Sequence, residues 1–152
     1  MRLRAAFINE ILKLRCGLDA IAQGLEYCDT YGMYTDAVLQ HFKNPRHAGE
    51  MECADYSAEV SNPVCGDTLQ LSAQMMDGRV KVAQFLARGC VTSIACGSAL
   101  TDRMQGKSPA DLKNISPTDI SADLGGLPAA TFHAAQLACD ALTALLEKIS
   151  AA

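Results

Sequence analysis

Two cysteines carry the clearest chemical signal in this sequence. Cys65 lies in the segment NPVCGD (62–67), and Cys90 follows Gly89 further along the chain. Both cysteines have a glycine neighbour and stand where a strand is expected to meet another element, which is a poor position for a packed side chain. Cysteine thiolates are soft metal ligands, and the carboxylate of Asp67 adds a hard oxygen at the same corner. The pattern therefore predicts half of a metal or cluster site.

The positions of the neighbouring residues support such a site. A helix rich in alanine is predicted over 92–105, so Cys90 lies at its N-terminus, where free amide groups and the helix dipole favour a thiolate anion. Gly66 lets the backbone turn sharply and bring Asp67 to the same side. His133 lies near the start of the last predicted helix. Taken alone, a histidine there is more often a surface or capping residue than a metal ligand.

The composition excludes several classes of partner. The chain has 152 residues, of which 49% are hydrophobic and 20% charged, and a formal net charge of -4, as expected for one globular domain with a single core. No run rich in lysine or arginine offers the positive surface that a phosphate backbone requires, so we expect no nucleic-acid partner. No stretch approaches the roughly 20 apolar residues of a membrane span, so we expect no membrane partner.

The number of cysteines indicates the redox environment. The sequence contains seven cysteines and no convincing secretory signal, which predicts a cytoplasmic protein whose cysteines are ligands or free thiols rather than disulfides. Cys16, Cys28 and Cys53 are interpreted as small buried side chains. Cys96 lies about 120° around the predicted helix from Cys90, so it is at most a reserve thiol for the site.

Alternating apolar and polar residues predict a short antiparallel sheet. Leu69 and Leu71 alternate with polar neighbours, as in a strand with one buried face. Asp77 and Gly78 form a strong hairpin signal, because both central positions of a type I′ turn need positive φ. The three predicted strands cover residues 56–61, 68–76 and 79–88.

The third predicted strand is less regular than the other two. Val80 and Val82 face one way, whereas Phe85 and Ala87 face the other. A bulge, or burial on both faces, would explain the change.

Helices are predicted before and after this sheet. Thr35 caps a first helix, which ends at Asn44 because the following proline disfavours a helical conformation of its predecessor. Ser108 and Ser116, each followed by proline, predict two further helix starts. With the alanine-rich helix and a long C-terminal helix over 130–149, the prediction is an α+β fold in which a small three-stranded antiparallel sheet packs against several helices.

Residues 1–32 differ from the rest of the chain. Apolar side chains recur there at helical spacing, which predicts an amphipathic helix, and the charged residues cancel, so the acidity belongs to residues 33–152. We interpret residues 1–32 as a leader, either an additional helix or sequence upstream of a natural start at Met33. Residues 33–152 are then the functional domain.

Several motifs occur in an order that resembles a known family. They are HFKNPRHAG at 41–49, NPVCGD at 62–67, GC at 89–90, SIA at 93–95, SALT at 98–101, GKS at 106–108 and the neighbourhood of His133. From Tyr34 to about Ile149 the chain resembles the U-type iron–sulfur cluster assembly scaffolds, which include IscU, SufU and the N-terminal domain of NifU. The resemblance implies a protein that accepts sulfur from a cysteine desulfurase, binds iron, builds a 2Fe–2S cluster and transfers it to apo acceptor proteins.

Two departures from the family pattern alter what the resemblance implies. The third cysteine of the family directly follows the histidine, and Ala134 occupies that position here. Cys139 lies about 140° further around the helix and is interpreted as a packing residue. The segment that often forms a chaperone-binding motif in IscU reads LPAAT (127–131), which argues against dedicated handling by an Hsp70-type chaperone.

The resemblance therefore implies four ligands, namely Cys65, Asp67, Cys90 and His133. Two sulfurs, one oxygen and one nitrogen suffice for a tetrahedral zinc or ferrous ion, and they could supply two ligands to each iron of a 2Fe–2S cluster. A hard carboxylate on a soft cluster predicts that the cluster is released easily.

The preferred functional prediction is a scaffold or carrier, not an enzyme, that holds a transient 2Fe–2S cluster as a monomer or weak dimer. Zinc is a possible occupant of the isolated protein. One alternative is a zinc-dependent sulfur acceptor that acts as a sulfurtransferase, as in the SufU branch, although the 43 residues from Cys90 to His133 are short for the insertion of that branch. Another alternative is a metal-binding regulatory module.

The leader is predicted to be dispensable. A chain that begins at Met33 is expected to fold and bind metal as the full chain does, because the family resemblance begins at Tyr34. Urea denaturation and zinc affinity of the two chains test this expectation. A large loss of stability in the shorter chain would show instead that the apolar stripe of the leader packs on the domain.

Overall fold

The computed structural model describes residues 34–152 of the chain. The predicted helix and the domain boundary assigned to residues 1–32, including Cys16 and Cys28, lie outside the described residues. In chain order the described elements are α1 (Asp36–Lys43), β1 (Tyr56–Ser61), β2 (Thr68–Met76), β3 (Arg79–Arg88), α2 (Val91–Met104), α3 (Pro109–Leu112), α4 (Pro117–Asp123) and α5 (Phe132–Ala151).

The three strands form one antiparallel sheet in the order β1-β2-β3. The register places Leu71 opposite Ala58 on one side and opposite Phe85 on the other, so these buried side chains share one face. Helices α2 and α5 cover this sheet. The predicted α+β fold is confirmed, with all three strands at their predicted limits.

Close packing fixes α2 on the sheet. A β-carbon at Gly97 would come within 2.5 Å of the Phe85 ring and 3.1 Å of Leu69. Glycine at this helical position therefore allows the backbone of α2 to approach β3 and β2 more closely than any other residue would. Because α2 begins beside Cys90, this packing also sets the position of the helix N-terminus.

The irregularity of β3 is a bulge. The pairing of β2 with β3 shifts register between Gln74 and Met75, so that Gln74 pairs with Val82 and Met75 with Val80. Lys81 is the extra residue, and Val80 therefore returns to the buried face that Phe85 occupies. The sequence-based assignment of Val80 and Val82 to one face was wrong for this reason, and the bulge was one of the two predicted explanations.

The motif at 41–49 attaches α1 to α2. The buried hydroxyl of Ser98 accepts the backbone N–H of Arg46 at 2.8 Å and lies 2.8 Å from Nδ1 of His41. Burial lowers the pKa of His41, which favours the neutral imidazole in this contact. Asp102 accepts hydrogen bonds from the side chains of Arg46 and His47. The side chains of the 41–49 segment therefore join α1 to α2.

The predicted helix caps are observed, whereas the predicted first and last residues of two helices differ slightly from the observed ones. Ser108 and Ser116 each form a capping box with the aspartate three residues later, as their Ser-Pro sequences suggested. Helix α2 runs over Val91–Met104 rather than 92–105, and α5 over Phe132–Ala151 rather than 130–149. None of the described helices is long and apolar enough to cross a membrane.

The described cysteines divide into buried and exposed thiols. Cys96 and Cys139 are buried, and burial raises the pKa of Cys96 to about 12 and that of Cys139 to about 11. The predicted packing role of Cys139 is therefore confirmed. Cys96, which was kept as a reserve thiol, is also a buried packing residue. Cys53 was predicted to be buried and is exposed, because it lies in the surface loop before β1, where its carbonyl accepts a hydrogen bond from Gln74.

Candidate metal centre

The loop between β1 and β2 presents Cys65 to solvent and turns Asp67 inward. The backbone of Asn62 bonds both to the N–H of Gly66 and to the carbonyl of Asp67, each at 2.8 Å, which closes a tight loop. The side chain of Asn62 accepts the N–H of Val64 at 2.9 Å. Gly66 has a φ of 73°, a left-handed conformation that glycine adopts without strain. The sequence-based prediction of a sharp turn at Gly66 is confirmed.

Asp67 is a buried carboxylate with a defined orientation. Asp67 is only 6% exposed, and its Oδ2 accepts a hydrogen bond from the hydroxyl of Ser93 at 2.6 Å. On another side, the backbone of Gly89 lies so close that a β-carbon there would come within 2.4 Å of the carboxyl carbon. The carboxylate is therefore held between the first turn of α2 and the end of β3.

His133 has one ring nitrogen whose lone pair is free to bind a metal ion. It is the second residue of α5, and its Nδ1 lies 3.1 Å from the carbonyl oxygen of Ala130. Because a carbonyl can only accept, Nδ1 carries the hydrogen of this bond. In a neutral imidazole, Nε2 then has the free lone pair that a metal ion needs. A backbone partner of this kind fixes the ring of many metal-binding histidines.

Three of the four predicted ligands converge in space. One ligand atom each from Cys65, Asp67 and His133 can be chosen so that all lie within 4.8 Å of one another. Metal bonds of about 2.0–2.3 Å separate two tetrahedral ligands by roughly 3.5 Å, so the side chains need to close by little more than 1 Å. A thiolate, a carboxylate and an imidazole are a donor set that suits zinc or ferrous iron.

Cys90 lies beside this group of three. It is exposed and is the N-cap residue of α2, as predicted, and its Sγ lies 3.4 Å from the hydroxyl oxygen of Ser93. Ser93 therefore contacts both Cys90 and Asp67. Its part in the site was not recognised in the sequence, although its position three residues after the N-cap cysteine could have indicated it. Ligation by Cys90, as by the other three residues, stays a prediction.

The position of the missing third cysteine is buried. Ala134 follows His133 directly and is 1% exposed, so its methyl group packs inside the fold. Neither Cys96 nor Cys139 belongs to the convergent group. In the described part of the chain, the convergent group therefore contains one thiol, that of Cys65, and Cys90 lies beside it as the second predicted sulfur ligand.

His133 is expected to be essential for metal binding. Replacement by alanine (His133→Ala) removes the only nitrogen of the convergent group, so the affinity for zinc should fall by roughly 100-fold or more. Chelator competition measures the zinc affinity.

The matched control is Gln136→Ala, an exposed residue one turn further along α5 that bonds only to Asp140 among the described residues. Its zinc affinity should equal that of the unaltered chain. Near-normal zinc affinity in His133→Ala would show that the histidine is a surface residue at the start of the helix and not a metal ligand.

Comparisons with known proteins agree with this architecture. The family model "NifU-like N terminal domain" matches residues 33–151. The chain is 39% identical over 110 residues to iron-sulfur cluster assembly scaffold protein IscU 1 of Archaeoglobus fulgidus, covering 72% of each protein. It is 35% identical over 117 residues to the IscU scaffold protein of Escherichia coli strain K12, covering 74% of this chain and 91% of that protein.

A longer relative and a solved structure complete the comparison. The nitrogen fixation protein NifU of Cereibacter sphaeroides is 42% identical over 108 residues, a match that covers 71% of this chain but only 44% of that protein. The crystal structure of the N-terminal part of a NifU-like protein from Brucella abortus superposes with a TM-score of 0.63 at 18% identity, covering 80% of this chain and 96% of that one. The fold is the same, and the chain belongs to the NifU-like N-terminal domain family.

Proposed function

We propose that this chain is an iron–sulfur cluster assembly scaffold, which binds iron and sulfur, holds a labile 2Fe–2S cluster and transfers it to apo acceptor proteins. The observation that carries the proposal is the convergence of Cys65, Asp67 and His133 in a chain of this family. The relatives described above are named as scaffolds of cluster assembly. None of those names favours the sulfurtransferase alternative.

The ligand types suit a cargo that must be bound and then released. Cys65 and Cys90 offer thiolates, which iron binds in most clusters, and His133 offers a neutral imidazole nitrogen. Asp67 offers a hard oxygen, which binds a soft cluster less firmly than a sulfur would. A site with two sulfurs and two harder ligands should therefore exchange its cargo more readily than a site with four cysteines.

The exposure of the site also suits transfer. Cys65 and Cys90 are both exposed, and Val64, next to Cys65, is 93% exposed at the tip of its loop. An acceptor protein can therefore reach the thiols without unfolding the domain. Asp67, by contrast, is buried beneath them and approaches the cargo from the protein side.

The role as a scaffold sets the kinds of partner. A donor must supply the sulfur of the cluster, and a cysteine desulfurase in the cytoplasm is the proposed donor. Apo iron–sulfur proteins are the proposed acceptors. The segment 127–131, which precedes His133, lacks the second proline, valine and lysine of the chaperone motif, so we propose transfer without a dedicated Hsp70-type chaperone, by a monomer or weak dimer.

Anaerobic reconstitution with iron and sulfide tests the proposal. The unaltered chain should develop the visible charge-transfer absorption of sulfur bound to iron, and it should contain iron and sulfide in equal amounts because a 2Fe–2S cluster contains two of each. Cys65→Ala should lose both the absorption and most of the iron. Visible spectra together with iron and sulfide analysis provide the measurement.

Cys53→Ala is the control for the loss of a thiol. Cys53 is exposed, as Cys65 is, but it lies outside the convergent group, so this variant should reconstitute normally. A colourless product from the unaltered chain that holds one zinc ion would contradict the scaffold proposal. Equal loss in the Cys65 and Cys53 variants would contradict the assignment of the site.

A further inference from the structure

Ser93 connects two of the predicted ligands. It is 2% exposed and lies in the first turn of α2, where its Oγ is 2.6 Å from Oδ2 of Asp67 and 3.4 Å from Sγ of Cys90. The two ligands come from different segments, since Asp67 ends the β1–β2 loop and Cys90 follows β3. A single buried hydroxyl thus links both segments at the point where they must present ligands to one cargo.

We propose that Ser93 is a positioning residue, which aims the carboxylate of Asp67 at the metal and ties it to the segment that carries Cys90. The inference rests on the proposed function, because it concerns the same site. It adds a residue that contacts neither iron nor sulfide and yet controls how firmly the site binds metal.

The single hydrogen of the Ser93 hydroxyl settles the direction of these contacts. An ionised carboxylate only accepts hydrogen bonds, so at 2.6 Å the hydroxyl donates to Asp67. In the metal-free chain the oxygen of Ser93 can accept a hydrogen bond from the Cys90 thiol, a bond that is absent once Cys90 binds metal as a thiolate. The serine therefore orders Asp67 directly, and it contacts Cys90 through the weaker bond.

The hydrogen bond limits what Asp67 can do at the metal. With Oδ2 hydrogen-bonded to Ser93, Oδ1 and the remaining lone pair of Oδ2 are left for a metal. The backbone of Gly89, on which an added β-carbon would lie 2.4 Å from the carboxyl carbon of Asp67, restricts the movement of the carboxylate on another side. A hydrogen bond to a charged group is stronger than one between neutral groups, which keeps one orientation of the carboxylate dominant.

The neighbouring Thr92 offers a matched comparison. It is fully buried one residue earlier in α2, and its hydroxyl oxygen has no hydrogen-bond partner among the described residues. Thr92→Val therefore removes a buried hydroxyl from the same turn without breaking a bond in the site. If burial of a hydroxyl near the helix start were all that mattered, the two positions would respond alike.

Metal affinity of the full chain, measured with zinc and with cobalt(II) by chelator competition, tests the proposal. Ser93→Ala should weaken binding by about 10- to 100-fold, the usual effect of removing a residue that orients a metal ligand. Ser93→Thr keeps the hydroxyl and should stay within about threefold of the unaltered chain, and Thr92→Val should not change the affinity. The visible spectrum of bound cobalt should change in Ser93→Ala and not in the other two variants, because only that variant alters the ligand geometry.

A double-mutant cycle with Asp67→Ala shows whether Ser93 acts through the carboxylate. Once Asp67 is absent, Ser93→Ala should weaken binding no further. Urea denaturation of the metal-free variants separates a loss of fold from a loss of ligand positioning. An equal effect of Ser93→Ala with and without Asp67, or a loss of affinity that Thr92→Val reproduces, would overturn the inference.

The outcomes also separate this inference from the function on which it rests. Full affinity in Ser93→Ala together with weak binding in Asp67→Ala would overturn the role of Ser93 and leave the site intact. Full affinity in both Asp67→Ala and Cys65→Ala would remove the proposed site, and the role of Ser93 with it.

Discussion

The site depends on the burial of one carboxylate. An ionised aspartate in the interior is costly unless it is hydrogen-bonded or paired, and Asp67 obtains its bond from Ser93. This contact requires the β1–β2 loop, the end of β3 and the start of α2 to meet within hydrogen-bond distance. Glycine at position 89 leaves room for the carboxylate, and glycine at position 97 lets α2 approach the sheet. Much of the local sequence can thus be understood as a way to hold the buried carboxylate of Asp67 close to two exposed thiols.

The sheet was predictable because its signals are local. Alternation of apolar and polar residues and the Asp77–Gly78 turn fixed all three strands at their observed limits, and both turn residues do have positive φ. The face of Val80 was not predictable, because a bulge at Lys81 depends on the pairing of two strands. Helix limits differed by one or two residues, as they often do where the last turn frays.

The candidate site was only partly predictable for a similar reason. Cys65, Cys90 and Asp67 were noticed because their residue types are unusual in the places where they occur, whereas His133 was added by the resemblance to a known family. Ser93 is an ordinary residue in a helix, and its importance follows from a contact across 26 residues that no local pattern reveals. The burial of Cys53 was inferred from the usual behaviour of free cysteines, and its loop position decided otherwise.

The candidate site combines two side chains that hydrogen bonds hold in place with two exposed thiols. His133 is oriented by the carbonyl of Ala130, and Asp67 by Ser93, so the two harder ligands are held by the protein. Cys65 and Cys90 are exposed and lie on the side from which a partner would approach. With Ala134 in place of a third cysteine, the described site has no spare sulfur. Under the proposed function, cargo at this site is bound by few strong bonds, which favours transfer over storage.

X-ray absorption at the zinc edge of the zinc-loaded protein tests the central claim most directly, because it counts the atoms around the metal. The account predicts sulfur atoms at about 2.3 Å together with nitrogen or oxygen atoms at about 2.0–2.1 Å, with two of each kind. The sulfur count should fall to one in Cys90→Ala. A shell of four sulfurs, or a shell of nitrogen and oxygen alone, would contradict the assignment of Cys65, Asp67, Cys90 and His133 as the ligands.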